Sequence, residues 1–148
     1  MVVKTKSIYE PAEEEDGIRV LITRYYPRGV KKSHFDYWLR ELSPSKELLF
    51  SYKEGKTSWS EFKINLLSEI KDNKDSLDAI YALNNYSQFD NVTLLCYEKA
   101  GNPCHRYLIR DLVDDPKLLS SNFKPKDPDD HEGVSIDTLL SHKETTPN

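Results

Sequence analysis

Two short, almost unbroken apolar runs constrain the fold of this chain more than any other feature of its sequence. One run is IRVLIT at 18–23 and the other is VTLLCY at 92–97. Both are rich in β-branched residues, and strands with apolar residues at nearly every position are typical of sheets that are covered on both faces. The segment between them, 25–91, is far longer than the dozen or so residues that a crossover between parallel strands needs. The sequence therefore predicts a parallel pair of strands inside an α/β domain.

The flanking segments predict further elements around this pair. Alternating Val, Thr and Ile residues predict a first strand within 2–9. Residues with the character and spacing of helix N-caps precede four amphipathic stretches; these are Ser33, Ser45, Ser58 and Asp75. Asn102 followed by Pro103 predicts the start of a last helix that runs to about Val113. We expect an α/β fold with a small, mostly parallel sheet of about three strands, flanked by helices and followed by a polar C-terminal tail.

The chain changes in composition near residue 114. Most of its apolar residues lie within 17–113, whereas 114–148 is rich in Asp, Pro, Ser and Lys. Such segments cannot bury enough apolar surface to offset the entropy lost on ordering. We therefore expect one α/β domain over 1–113 and an acidic tail over 114–148 that is loosely packed or disordered.

Charge and hydropathy restrict the class of protein. The formal net charge of the 148 residues is −4, but basic residues outnumber acidic ones within 17–63, so a cationic face can still bind an anionic small molecule or nucleic acid. The longest apolar run, 79–83, is far shorter than the roughly 18 residues of a membrane span. The first residues lack the apolar stretch of a secretory signal. We expect a cytoplasmic protein with no membrane span, in which both cysteines are free thiols.

Polar and reactive residues follow both central strands. Arg24, Tyr26 and Arg28 come after the first strand; Cys96, Glu98, Cys104, His105 and Arg106 end or follow the second. Ligands of parallel sheets bind beyond the carboxyl ends of the strands. If the two strands run in the same direction, these two groups of residues meet at one edge of the sheet.

Several stretches of the chain resemble an uncharacterised family, domain of unknown function 488, also called YeaO-like. They are RVLITRYYPRG at 19–29, WLRELSPS at 38–45, VTLLCYE at 92–98 and CHR at 104–106. The resemblance extends over about 3–113 and is fairly specific in order and spacing. It implies no settled activity.

Two departures from the family pattern bear on the site. Many compact members have Asp-Arg-Leu-Trp-Pro-Arg-Gly where this chain has Thr23 and Tyr26 in place of the Asp and the Trp. Compact members also keep the histidine without the neighbouring cysteine or arginine. The resemblance therefore points to His105, with Arg24 and Arg28, as the shared centre, and not to a universal cysteine nucleophile.

Cys104 and His105 are the candidate catalytic residues. Cys104 is expected at the second position of the last helix, where unpaired amides and the helix dipole lower the pKa of a thiol. His105 would be an acid or base tuned by Glu98, and Arg24, Tyr26, Arg28 and Arg106 would hold an anionic substrate. The alternative is a purely structural role for these residues. Cys104 shares a helical stripe with apolar residues and would then be part of the buried core. The arginines would form ion pairs with acids such as Glu41.

Three functions follow from these residues. The first is an anion site for a nucleotide, phosphate ester or nucleic-acid segment, with or without catalysis by His105 and Cys104. The second is a non-catalytic interaction module. The third is a thiol redox sensor, in which Cys96 and Cys104 form a disulfide if their Cα atoms lie within about 7 Å.

Metal and cofactor motifs are weak in this sequence. Cys96, Cys104 and His105 are soft metal ligands, but adjacent Cys and His residues do not match the usual zinc spacings. The chain has no G-x-x-x-x-G-K-[ST] phosphate loop and no dinucleotide-binding glycine pattern. The sequence therefore predicts neither a metal nor a cofactor.

Overall fold

The fold is a parallel sheet with α-helices packed against one face. The computed structural model describes residues 2–98 and 104–120. The strands are β1 (Val3–Ser7), β2 (Ile18–Leu21), β3 (Tyr37–Trp38) and β4 (Val92–Cys96), and the α-helices are α1 (Lys46–Lys53), α2 (Trp59–Lys71), α3 (Lys74–Tyr86) and α4 (Arg106–Asp114). Short 3-10 helices lie at Glu14–Asp16, Lys32–His34, Arg40–Leu42 and Pro116–Ser120.

The sheet has the order β1-β4-β2-β3, and each of its three strand pairings is parallel. β4 lies between β1 and β2, and all five of its residues are buried. This confirms the predicted α/β class and the central pair of parallel strands. The sheet has four strands where about three were expected, because β3 adds an edge strand of two residues.

Two apolar clusters explain why the central strands are apolar on both faces. On one face, Val20 and Leu94 pack with residues from all four α-helices, such as Leu66, Ile80 and Leu112. On the other face, a smaller cluster of Ile8, Leu21 and Leu95 is covered by Val30, Phe35 and Trp38. The segments between β1 and α1 therefore cover this second face in place of helices.

Two of the five predicted helix starts are confirmed. Ser58 and Glu61 form the expected reciprocal capping box at the start of α2. The Ser45 hydroxyl accepts a hydrogen bond of 3.1 Å from the amide of Leu48 at the start of α1. The start of α3 was predicted two residues too late, because the side chain of Asn73, and not that of Asp75, caps this helix.

The helix predicted from Ser33 is wrong. Its apolar spacing is helical, but Asp36 exchanges hydrogen bonds with β2, donating its amide to the Arg19 carbonyl and accepting the Arg19 amide on its carboxylate. The Leu39 amide donates to the carbonyl of Leu21, which continues the pairing. The backbone of this segment therefore pairs with the free edge of β2 and forms the edge strand β3 instead of a helix.

The last helix begins later than predicted. Asn102 and Pro103, the predicted cap and first residue, lie outside the described residues, as does 121–148 of the predicted tail. α4 begins at Arg106 with His105 as its N-cap residue, so Cys104 precedes the helix and does not occupy its second position. Among residues 2–98 and 104–120, no helix is both long and apolar enough to cross a membrane.

Candidate functional site

The candidate site lies at the carboxyl end of β4, where α4 begins. Cys96 is the last residue of β4, and Cys104 and His105 directly precede α4. His105 extends over the adjacent strand, with its Nε2 atom 2.5 Å from the carbonyl oxygen of Ile22. The Ile22 amide in turn donates to the carbonyl of Leu95, which continues the β2–β4 pairing. The parallel sheet therefore brings His105 to the Ile22 carbonyl, although the two residues are distant in sequence.

Two sulfur atoms and one imidazole form the centre of this site. The Sγ atoms of Cys96 and Cys104 lie 2.6 Å apart, and both cysteines are free thiols. The Nδ1 atom of His105 lies 3.6 Å from the Cys96 sulfur and 3.9 Å from the Cys104 sulfur. The exposed fractions of the three residues are 1% for Cys96, 5% for Cys104 and 9% for His105. We call these three residues the thiol–histidine cluster.

The Ile22 carbonyl determines which nitrogen of His105 can titrate. A carbonyl oxygen only accepts hydrogen bonds, so the Nε2 atom beside it must carry a hydrogen. Nδ1 is then the nitrogen that gains and loses a proton, and it faces both sulfur atoms. In the neutral ring Nδ1 accepts a hydrogen bond from a thiol, and in the charged ring it donates one to a thiolate.

The cluster favours a thiolate on Cys104. Burial opposes ionisation of this thiol, but the hydrogen bond it shares with Cys96 and the positive charges of His105 and Arg106 outweigh burial and hold its pKa well below the usual range. Burial likewise opposes protonation of His105, yet its contact with Cys104 raises the pKa of the imidazole. Burial, followed by the contact with Cys104, raises the pKa of Cys96. These directions favour a negative charge on Cys104 and a proton on His105, beside a Cys96 thiol that ionises less readily.

Glu98 and Arg106 lie next to the cluster. Arg106 is fully buried and donates from Nη1 to the Glu98 carbonyl oxygen at 2.6 Å, which ties the end of β4 to the start of α4. The Glu98 carboxylate lies 3.8 Å from the Cys96 sulfur. Desolvation and the negative charge of Cys104 raise the pKa of this carboxyl group. Glu98 is therefore easier to protonate than an ordinary surface glutamate.

The other predicted ligand-binding side chains either bond to other parts of the chain or are exposed. Arg24 donates from Nε to the Pro44 carbonyl oxygen at 3.0 Å. Tyr26 donates from its hydroxyl to the Val30 carbonyl at 2.5 Å, and Arg28 is exposed. Within residues 2–98 and 104–120, no hydrogen bond or ion pair joins these three side chains to the thiol–histidine cluster. Their role in binding an anion stays a prediction.

One contributor to the site could not be found in the sequence. Ile22 acts through its backbone carbonyl, which orients His105. Because every residue has a carbonyl, only the register of β2 against β4 reveals that this one faces an imidazole. Tyr97 adds a second tie between the strands, since its hydroxyl donates to the Tyr25 carbonyl.

Comparisons with known proteins identify relatives of the chain. The family model described as "Active DUF488-N3 subclade" matches residues 3–117. The Escherichia coli K12 protein named "Uncharacterized protein YeaO" is 36% identical over 72 residues, which are 47% of this chain and 63% of YeaO. "Uncharacterized protein Mb3100c" of Mycobacterium bovis is 32% identical over 72 residues, 47% of this chain and 61% of that protein. The chain thus spans less than two thirds of these curated relatives. No solved structure matches it at a significant level.

Proposed function

The chain belongs to the DUF488 family, and its matched relatives have no named activity, so we infer its function from the site. We propose that Cys96 and Cys104 form a redox-active dithiol assisted by His105. The observation that carries the proposal is the contact of 2.6 Å between the two sulfur atoms, with an imidazole nitrogen within 3.9 Å of both. Paired thiols beside a base react with oxidants faster than isolated buried cysteines do.

Cys104 is the attacking thiol in this proposal. Its lowered pKa makes it the better thiolate, and its exposed fraction of 5% against 1% for Cys96 makes it the thiol that a small oxidant reaches first. Cys96 is the resolving thiol, because it is already in contact with the sulfur that becomes oxidised. The positive charges of His105 and Arg106 favour the thiolate in a buried environment.

A peroxide serves as the oxidant. The Cys104 thiolate attacks one peroxide oxygen, the O–O bond breaks, and a sulfenic acid forms; the leaving oxygen takes a proton from the His105 imidazolium and departs as water. The Cys96 sulfur then attacks the Cys104 sulfur, an S–S bond forms, and the sulfenic oxygen leaves as a second water with the Cys96 proton. The two thiols lose two electrons, and the peroxide gains them.

The test is oxidation of the reduced full chain by one equivalent of hydrogen peroxide in the presence of a metal chelator. We expect the intact mass to fall by two hydrogen atoms and peptide mapping to join Cys96 to Cys104. Cys96→Ser is expected to stop at a sulfenic acid on Cys104 that a dimedone-type reagent traps. Cys104→Ser is expected to form neither product.

His105→Gln provides a control for the role of the imidazole. Glutamine keeps an N–H donor for the Ile22 carbonyl but offers no titratable group to Cys104, so the variant is expected to react slowly at neutral pH and to recover as the pH rises towards about 8.5, the ordinary range of a thiol. Circular dichroism checks that each variant is folded. A wild-type chain that stays fully reduced, or that oxidises equally well as Cys104→Ser, refutes the redox function.

A second candidate is the anion site with Cys104 as a nucleophile. Its support is that two positive charges, those of His105 and Arg106, act on Cys104, and that the nearby Glu98 carboxyl has a raised pKa suited to a proton donor. The ligand class is an anionic small molecule or a nucleic-acid segment. A bound ligand raises apparent stability by mass action, so a thermal-shift screen of nucleotides, phosphorylated metabolites and short oligonucleotides is expected to reveal a stabilising compound.

The screen also tests the predicted role of Arg24 and Arg28 in binding the anion. The stabilisation is expected to be lost in Arg24→Ala and Arg28→Ala, which leave the thiol–histidine cluster intact. If no compound stabilises the wild-type chain, or if the arginine variants respond as the wild type does, the predicted clamp is wrong.

A further inference from the structure

We propose that the thiol–histidine cluster is a binding site for one zinc ion, with the Sγ atoms of Cys96 and Cys104 and the Nδ1 atom of His105 as its ligands. These three ligand atoms lie within 4.8 Å of one another. The inference is independent of oxidation chemistry, although it uses the same two thiols. It also differs from what the spacing of the residues predicts, because that spacing disfavours zinc.

The separations between the ligand atoms suit a tetrahedral ion. Zinc binds cysteine sulfur at about 2.3 Å and histidine nitrogen at about 2.0 to 2.1 Å, which places a sulfur and a nitrogen of one tetrahedral site about 3.6 Å apart. The two sulfur-to-Nδ1 distances are 3.6 Å and 3.9 Å. The sulfur atoms lie 2.6 Å apart, and zinc binding would require them to separate to about 3.8 Å.

The orientation of His105 is that of a metal ligand. Histidines that bind zinc through one ring nitrogen donate a hydrogen bond from the other nitrogen to a carboxylate or a backbone carbonyl, which fixes the ring. Here Nε2 lies 2.5 Å from the Ile22 carbonyl oxygen, and Nδ1 faces the two sulfur atoms. The structure therefore contains the supporting contact that a zinc-binding histidine requires.

The chemistry of the donors favours zinc over a hard cation. Two thiolates and one imidazole are soft ligands, which magnesium and calcium do not prefer. Two thiolates also neutralise the charge of the ion inside a buried site, where an unpaired charge would be costly. Three protein ligands leave a fourth position for water or another ligand, and the Glu98 carboxylate is a nearby oxygen donor, 3.8 Å from the Cys96 sulfur. Sites with three protein ligands and an open position are typical of catalytic zinc.

The test titrates the reduced, chelator-treated full chain with Co²⁺ and then with Zn²⁺. We expect one equivalent of Co²⁺ to give thiolate-to-cobalt charge-transfer absorption and tetrahedral d–d bands, and one equivalent of Zn²⁺ to displace it. Competition with a chromophoric chelator then gives the zinc affinity. Loss of a supporting contact typically costs 10- to 100-fold in metal affinity, so loss of a ligand in Cys104→Ser or His105→Gln is expected to cost at least about 100-fold.

His34→Gln is the matched control, because His34 lies outside the cluster and its variant is expected to bind zinc as tightly as the wild type. Tail histidines could also bind zinc, so the double variant Cys96→Ser/Cys104→Ser is measured in parallel. Equal affinity of the double variant and the wild type, or cobalt spectra without thiolate bands, overturns the proposal.

A second measurement separates this site from the redox function. Zinc that occupies the cluster is expected to protect both thiols, so peroxide should no longer remove two hydrogens from the zinc-loaded chain, and a chelator should restore the loss. Oxidation that proceeds equally with and without zinc overturns the zinc site and leaves the dithiol. A chain that binds zinc through its thiols but never forms the disulfide with chelator present refutes the dithiol and leaves the zinc site.

Discussion

Asp16→Asn is expected to lower the free energy of unfolding by about 3 to 5 kcal/mol, the usual cost of removing one partner of a buried charge pair. Asp16 is completely buried, and its carboxylate lies 2.5 Å from Nη1 of Arg19, which is itself buried, and 3.1 Å from Nζ of Lys6. Asparagine fills the same space but leaves the Arg19 guanidinium without a counter-ion. Denaturant unfolding at neutral pH measures the loss.

The same carboxylate makes stability depend on pH. Burial alone would raise the pKa of Asp16, but hydrogen bonds from the Glu13 amide, Lys6 and Arg19 outweigh it and lower the pKa below 3.8. A carboxyl group whose pKa is lower in the folded chain stabilises the fold above its unfolded pKa, and this stabilisation is lost as the pH falls through the folded value. The advantage of the wild type over Asp16→Asn is therefore expected to be full at neutral pH and to shrink below about pH 4.

Glu13→Gln provides the matched control. Glu13 also pairs with Lys6, at 3.3 Å, but its side chain is 56% exposed, and exposed ion pairs contribute about 0 to 1 kcal/mol. A loss in Asp16→Asn as small as that in Glu13→Gln, or an advantage that does not change with pH, would show that Arg19 and Lys6 do not depend on the buried carboxylate.

Gly17→Ala is expected to cost about 3 kcal/mol or more, because both the backbone and the space at this position require glycine. Gly17 has φ +64° and ψ −134°, a conformation that L side chains rarely adopt. A Cβ atom there would lie 1.9 Å from the carbonyl oxygen of Asn91. That carbonyl accepts the amide of Ile18 at 3.0 Å, so the clash falls where β2 joins the start of β4.

Gly55→Ala separates the two causes. Gly55 also has a positive φ, +78°, but nothing lies within 4 Å of an added Cβ atom. Its replacement is expected to cost only the conformational penalty of about 1 to 2 kcal/mol. Thermal unfolding of the two variants measures the difference. Equal losses would mean that the chain relaxes around Asn91 and that the close approach does not constrain the sheet.

Local features of the sequence identified the central strands and two helix starts. The apolar runs at 18–23 and 92–97 form strands because only a position buried on both faces suits so many apolar residues. Ser58 and Glu61 cap α2 because the two groups lie within one turn and need nothing else. Such interactions join residues close in sequence, so sequence spacing alone is enough to find them.

The helix predicted from Ser33 is wrong because its partners are distant in sequence. The apolar spacing after Ser33 fits a helix, but the backbone of β2 offers hydrogen bonds that only the fold brings near, and the segment becomes β3. The arginine clamp, which rests on the convergence of two strand ends, stays a prediction. The strand ends do converge, but Arg24 bonds to the Pro44 carbonyl on another segment of the chain.

The sequence by itself determined that this is an α/β domain and that two apolar strands lie at its centre. It also showed that Cys96 ends one of these strands and that Cys104 and His105 come after it. Burial patterns and helix caps are local, so they can be recognised without a structure. Only the tertiary structure decided that the two sulfur atoms touch and that Nδ1 of His105 faces them. These contacts depend on the register of β2 against β4, which places the Ile22 carbonyl at His105, and on the position of Cys104 beside Cys96, just before α4.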